Sequence, residues 1–285
     1  MRAFLVLAVV LFTASSLSAQ VSGAISADPP RDSANPARME VLHIPSGGVK
    51  INGVAYLASG AGQHPTVILF HGLPGNEKNL DLAQAVRRAG WNAITLNYRG
   101  SWGSPGDFRF ASTLEDAEAV LTFARDTTNA RRLRIDPQRI VLAGHSMGGW
   151  VTALTAARHP EVLGAVLISA GDLGQLGAMP RSMLNFQMAL NMESLSGVTA
   201  ASMAEELIEG ASRWTFASAA PSLVRMPMLV LTSNDGGAAV SDSLVRRVRS
   251  LGNSLVTTVH APTDHSWSDK RVALQTAVLT WLARR

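Results

Sequence analysis

Short, continuous apolar runs recur along the chain at residues 66–70, 93–96, 140–143, 165–168, 228–231 and 255–259. Each is too short for a core helix and lacks the alternation of a half-exposed strand, so each fits a strand buried on both faces. Between most of them lie helical patterns: Leu82, Ala85, Val86 and Ala89 ending at Gly90; Leu244, Val248 and Leu251 ending at Gly252; and Leu274, Val278, Trp281 and Leu282 near the end. A further helix around Ala117, Val120, Leu121 and Ala124 is expected to start with a capping box at Ser112-Thr113-Leu114-Glu115. Strands alternating with helices give an α/β fold with a mostly parallel, doubly wound sheet. Residues 41–44 and 49–57, around Ser46-Gly47-Gly48, add an N-terminal antiparallel hairpin.

One interval, residues 172–225, breaks the alternation and reads as a helical lid insertion after a strand end. Met179, Met183, Phe186 and Leu190 recur there at helical spacing. They are expected as core of the insertion, or as adaptable thioethers and apolar groups lining a site.

With 285 residues, 47% of them hydrophobic, the chain can build one large domain, expected over residues 39–285. Met1-Arg2, an apolar run to Phe12 and the small residues Ala14, Ser15, Ser16, Ser18 and Ala19 read as a signal peptide over 1–19. Residues 20–38, rich in Ser, Ala, Pro and Asp, read as a flexible linker. A signal segment and no cysteine fit a bacterial periplasmic or secreted protein whose core needs no disulfides, with no stable membrane insertion after cleavage. Net charge is only +4, and the clusters Arg131-Arg132-Arg134 and Arg246-Arg247-Arg249 lack interleaved aromatics. They read as solvated helix faces, so no nucleic-acid partner is expected.

Chemistry concentrates where a doubly wound sheet binds ligands, beyond the carboxyl ends of its strands. Gly144-His145-Ser146-Met147-Gly148-Gly149 directly follows the run at 140–143. Glycines two residues either side of a serine allow a sharp strand-to-helix turn that exposes its Oγ, so Ser146 is the candidate nucleophile, with Gly144 and Gly148 permitting the close approach. His71-Gly72-Leu73-Pro74-Gly75 ends an earlier run. There His71 and Gly72 form a supporting loop, and the N–H groups of Leu73 and Met147 are the expected oxyanion donors. Seven histidines compete to be the base. His145 is too close in sequence to turn onto Oγ, whereas His265, in the loop after the last run, is at the correct edge. Asp235, after the run at 228–231, is the expected acid; Asp172 is the runner-up, and Asp264 is too near His265 to face it. No cluster has metal-ligand spacing, and acyl transfer through serine needs no cofactor.

These motifs, with Tyr98-Arg99-Gly100, Gly103 and Ser104, resemble the α/β-hydrolase superfamily over about residues 40–285. The resemblance points to the branch of serine aminopeptidase-like, dipeptidyl/acylaminoacyl-peptidase-like and dienelactone-hydrolase-like enzymes. It implies a serine hydrolase acting on a small-molecule ester or short peptide. The His-Gly-x-Pro loop also resembles epoxide hydrolases and haloalkane dehalogenases, which carry a nucleophilic aspartate where this chain has Ser146. Esters of small or medium size are favoured because the lid is apolar, although Glu205, Glu206 and Glu209 offer a peptide α-amino group a partner. A non-catalytic binding module on the same fold is the remaining alternative.

Overall fold

The computed structural model describes residues 21–285, and the segment read as a signal peptide lies outside them. Eight strands form one sheet in the order β1-β2-β4-β3-β5-β6-β7-β8. β1 (Arg38–Ser46) and β2 (Val49–Leu57) are the expected antiparallel hairpin, and β2 also runs antiparallel to β4. β3 (His64–Phe70), β4 (Asn92–Leu96), β5 (Ile135–His145), β6 (Gly164–Ile168), β7 (Met228–Ser233) and β8 (Val256–Ala261) are mutually parallel. β4, β6 and β7 are buried at every residue, as their unbroken apolar runs require. β8 departs from that expectation: as an edge strand it exposes Thr257, Thr258 and His260.

Helices cover both faces. α1 (Leu80–Arg88) buries Leu82, Ala83, Ala85 and Val86 against one face, beside α10 (Arg271–Leu282). The opposite face carries α2 (Phe110–Arg125), followed by the short α3 (Thr127–Leu133), then α4 (Met147–Arg158) and α9 (Ala238–Ser250). Residues 21–26, expected as linker, are helical instead. Val21 and Ala24, three apart and so on one helical face, are buried against the α1/α10 core, and Arg88 Nε donates to the Ala24 carbonyl at 2.6 Å.

The capping box at Ser112 is not used. α2 starts at Phe110, and Arg109, its N-cap, provides no side-chain cap. Glu206 from the lid supplies one, its carboxylate accepting from the N–H groups of Phe110 and Ala111 at 3.0 and 2.9 Å. A carboxylate there also meets the positive end of the helix dipole.

The lid comprises α5 (Leu173–Gly177), α6 (Arg181–Ala189), α7 (Ala200–Gly210) and α8 (Phe216–Ala219), with a short 3₁₀ turn after them. The stripe expected to be its core is mostly outside: Met183, Phe186 and Leu190 are exposed, and Met179 is only partly buried. Leu184 and Met188, four residues apart, form the inner face of α6. The helix packs on α7 along one side, and Met183 and Phe186 on its other side are exposed. Helical spacing alone cannot tell which of two apolar faces will be covered.

Candidate active site

Ser146 is the N-cap of α4, at the junction where β5 ends. Its backbone has φ 57° and ψ −120°, a strained conformation for a residue with a Cβ. The strand-to-helix reversal tolerates this because Gly144 and Gly148, two residues to either side, have no side chains. A Cβ on Gly144 would come 2.0 Å from the Gly148 carbonyl oxygen, and one on Gly148 would come 2.0 Å from the Phe70 carbonyl oxygen. The Ser146 side chain caps nothing, so its hydroxyl is free for other work.

The loop after β3 lies against the serine. A Cβ on Gly72 would come 2.9 Å from Ser146 Cβ, which brings Leu73 beside the same reversal as Met147, the first residue of α4. An N–H in the first turn of a helix has no partner within that helix. The loop is held from outside by the Trp102 indole, which donates to the Pro74 carbonyl at 2.7 Å, and the Leu73–Pro74 bond is cis.

Asp235 follows β7 and His265 follows β8, neighbouring parallel strands. Their side chains meet: His265 Nδ1–H donates to Asp235 Oδ2 at 2.6 Å, and the Gly237 N–H donates to Oδ1 at 2.8 Å. The carboxylate is 6% exposed and the imidazole 47%. Burial pushes the Asp235 carboxyl up, but hydrogen bonds from His265 and the Gly237 N–H, with the charge of His265, pull it below the usual carboxylate range.

His145 does not turn onto Ser146; it supports His265. Its Nε2–H donates to the His265 carbonyl at 2.8 Å, and the two rings pack with centroids 4.6 Å apart. His71 donates from Nδ1 to the Gly72 carbonyl at 2.8 Å and packs against Tyr98. In both rings the remaining nitrogen is buried without a protein partner, the arrangement of a neutral imidazole.

Burial is the main cause that lowers each of these pKa values to about 4. An unfolded histidine takes its proton near 6.5, so between pH 6.5 and 4 the unfolded chain binds more protons and stability rises with pH. Together the two histidines are expected to cost about 4 kcal/mol on going from pH 7 to pH 5. Urea midpoints at the two pH values check this, and an unchanged midpoint would refute the buried, neutral assignment.

The other candidates are occupied elsewhere. Asp172 caps α5, accepting from Gln175 N–H at 3.0 Å, and its second oxygen accepts from Phe216 N–H at 2.8 Å. Asp264 accepts from Ser268 N–H. Glu205 pairs with Arg181, Glu206 caps α2, and Glu209 is exposed. Among the described residues no group of three or more His, Cys, Asp or Glu is arranged to hold a metal ion, and no helix is long and apolar enough to cross a membrane.

Sequence reasoning missed Asp116. This fully buried carboxylate accepts from Ser46 Oγ at 2.5 Å, Arg99 N–H at 2.8 Å and Arg99 Nε at 2.7 Å, tying the loop after β4 to the hairpin and α2. Its spacing within an amphipathic helix pattern holds no sign of that role.

A family profile described as alpha/beta hydrolase fold matches residues 65–234. Over 130 residues the chain is 30% identical to an sn-1-specific diacylglycerol lipase of Mus musculus, covering 44% of this chain and 38% of that one. The curated relatives it matches are thus spanned over about half their length or less. Among solved structures, an esterase of Pyrobaculum calidifontis superposes with TM-score 0.64 at 20% identity, covering 94% of this chain and 88% of that one. An acylaminoacyl peptidase of Pyrococcus horikoshii gives TM-score 0.64 at 15% identity, covering 84% and 40%.

Proposed function

The chain belongs to the alpha/beta hydrolase fold family, and from that premise we propose that it is a serine hydrolase that cleaves carboxylic esters through an acyl-enzyme on Ser146. The observation that carries the reading is the Asp235–His265 hydrogen bond at the same sheet edge as the strained Ser146. With Nδ1–H committed to Asp235, the neutral His265 ring keeps its lone pair on Nε2. That nitrogen takes the Ser146 proton as Oγ attacks the ester carbonyl, and Asp235 stabilises the imidazolium that results. The N–H groups of Leu73 and Met147 hold the oxyanion. His265 then protonates the leaving alcohol, and a water activated by the same ring releases the acid.

Esters are favoured over peptides because two of the three acidic side chains offered to a peptide α-amino group are engaged, Glu205 with Arg181 and Glu206 with the start of α2. Likeness to an esterase and a lipase points the same way, and likeness to an acylaminoacyl peptidase keeps amide cleavage as the second reading. The character of residues 1–19 supports export, hence a periplasmic or secreted enzyme.

A fluorophosphonate probe tests the nucleophile. Wild-type protein is expected to label and Ser146→Ala to remain unlabelled; no labelling of wild type, or labelling that survives the substitution, overturns the proposal. Rates on short-chain aryl esters are expected to exceed those on aminoacyl and dipeptidyl amides, and the reverse order would transfer the assignment to a peptidase.

A further inference from the structure

The loop that carries the Leu73 donor is gripped from two sides, and the outer grip reaches the lid. On the inner side Gly72 packs against Ser146 and the His145 carbonyl. On the outer side Trp102 Nε1–H donates to the carbonyl of Pro74, one residue past Leu73, at 2.7 Å. The indole approaches so closely that a Cβ on Gly75 would come 2.8 Å from its nitrogen. Trp102 is itself held through its backbone: its N–H donates to the Ser194 carbonyl in the lid at 3.0 Å, and its carbonyl accepts from Asn97 Nδ2 at 3.1 Å. The Lys78 ammonium stands 4.2 Å from the centre of the indole ring and donates to Asn97 Oδ1 at 2.9 Å.

The lid meets this second loop as a short antiparallel ladder. Ser101 bridges Leu195, the Ser196 N–H donates to the Gly100 carbonyl at 2.7 Å, and the Phe108 N–H donates to the Ser196 carbonyl at 2.9 Å. Residues 194–196, between α6 and α7, thus form a strap along the loop after β4. Trp102 has φ 48° and Ser194 φ 61°, in the left-handed region that side chains disfavour. A residue keeps such a conformation only where its surroundings over-determine it, and such positions gather at functional sites. Of the two oxyanion donors, Met147 is fixed by α4, whereas Leu73 stands on a loop outside any helix or strand. Its position depends on what grips that loop.

We propose that Trp102 is a positioning residue that sets the Leu73 N–H in the oxyanion hole and makes that setting depend on the lid. The strap at 194–196 fixes the Trp102 backbone, the indole fixes the Pro74 carbonyl, and that carbonyl fixes the donor one residue before it. An oxyanion donor works only at about 2.7–3.1 Å from the developing charge, so a small drift of the loop weakens it. The hole is complete only while the lid is seated on the loop after β4. The inference rests on the proposed role of Leu73.

Trp102→Phe, Gly197→Val and their combination test it, with p-nitrophenyl butyrate as substrate and a trifluoromethyl ketone as inhibitor. The ketone adds to a nucleophilic serine and places a full oxyanion in the hole. Trp102→Phe keeps a ring beneath Lys78 and removes the indole N–H. Gly197, just past the strap, has φ 69°, and a Cβ there would come 2.6 Å from Asp107 Cβ, so valine pushes the strap off the loop. With active sites counted by the fluorophosphonate, Trp102→Phe is expected to lower kcat about tenfold, less than the roughly hundredfold that loss of a whole donor costs. Gly197→Val is expected to lower it about threefold; in both variants KM is unchanged and the Ki of the ketone rises by the same factor as kcat falls. The double variant is expected to match Trp102→Phe alone, because a link already cut cannot pass on the displacement of the lid. A Ki unchanged in Trp102→Phe while Tm falls, or losses that multiply in the double variant, would overturn the proposal. If Trp102→Phe fails to fold, Gly197→Val decides the matter by the same kcat and Ki readouts. Wild-type protein that resists both fluorophosphonate and ketone defeats the serine-hydrolase reading and this proposal with it; wild type that takes both, with Trp102→Phe equal to it, defeats this proposal alone.

Discussion

Asp235→Asn is expected to lower kcat on aryl esters about ten-thousandfold with little loss of stability. An asparagine can turn its amide N–H toward His265 Nδ1, which then accepts and forces the ring proton onto Nε2, where the lone pair for Ser146 is needed. Asp172→Asn is the matched control. It weakens the hydrogen bonds to Gln175 and Phe216 within the lid, a change of about 1 kcal/mol in stability, and should leave kcat within a few fold. Steady-state kinetics and thermal melts of the two variants give the answer. A larger kcat loss in Asp172→Asn would move the acid to the lid. Because the Asp235 carboxyl is held below its ordinary range, it stays ionised as pH falls toward the unfolded value near 3.8, and its contribution to stability is lost only below that.

Asp116→Ala, which removes the buried carboxylate by which α2 holds the loop after β4, is expected to destabilise the fold by about 3–5 kcal/mol. The substitution leaves the Arg99 guanidinium, 12% exposed, without its buried partner, and also strips an acceptor from Ser46 Oγ and from the Arg99 N–H. Burial raises the Asp116 carboxyl, and its hydrogen bonds with Ser46 and Arg99 counter only part of that rise, as befits a charge whose desolvation is large. For a chain of this size the loss corresponds to a fall in Tm of roughly 10 °C. Asp116→Asn, which keeps an acceptor for the Arg99 N–H, should fall less. A melt of Asp116→Ala within 2 °C of wild type, on the scale of roughly 2–4 °C per kcal/mol, would show that Glu115 and the Ser112 carbonyl suffice to hold Arg99.

The parts of the site that could be read from sequence are those with local causes. Ser146 lies between glycines because the reversal from β5 to α4 brings backbone within reach of a Cβ at either position, and that requirement is written in the five residues from Gly144 to Gly148. Asp235 and His265 were legible because each follows an apolar run, so strand polarity alone brings them to one edge. The network around them was not legible. His145 was set aside because adjacent residues diverge, which is true of its relation to Ser146 but says nothing about the loop 120 residues later that its ring meets. Likewise Glu206, which read as a solvated face or an amine ligand, caps a helix that begins 96 residues earlier. Such pairings depend on how loops from different strands settle against one another.

By itself the sequence determined the alternation of strands and helices, hence the sheet, its carboxyl edge and the residues carried there. Its physical basis is short-range: short apolar runs are buried most completely as strands inside a sheet, and a tight reversal needs glycine where a Cβ would strike backbone. Only the tertiary structure decided which apolar face of the lid is covered, that a lid carboxylate caps the start of α2, and which groups support Asp235 and His265. Those outcomes rest on desolvation and hydrogen-bond geometry between groups far apart in the chain, and a buried polar group finds its partner in space, where sequence spacing carries no trace of it.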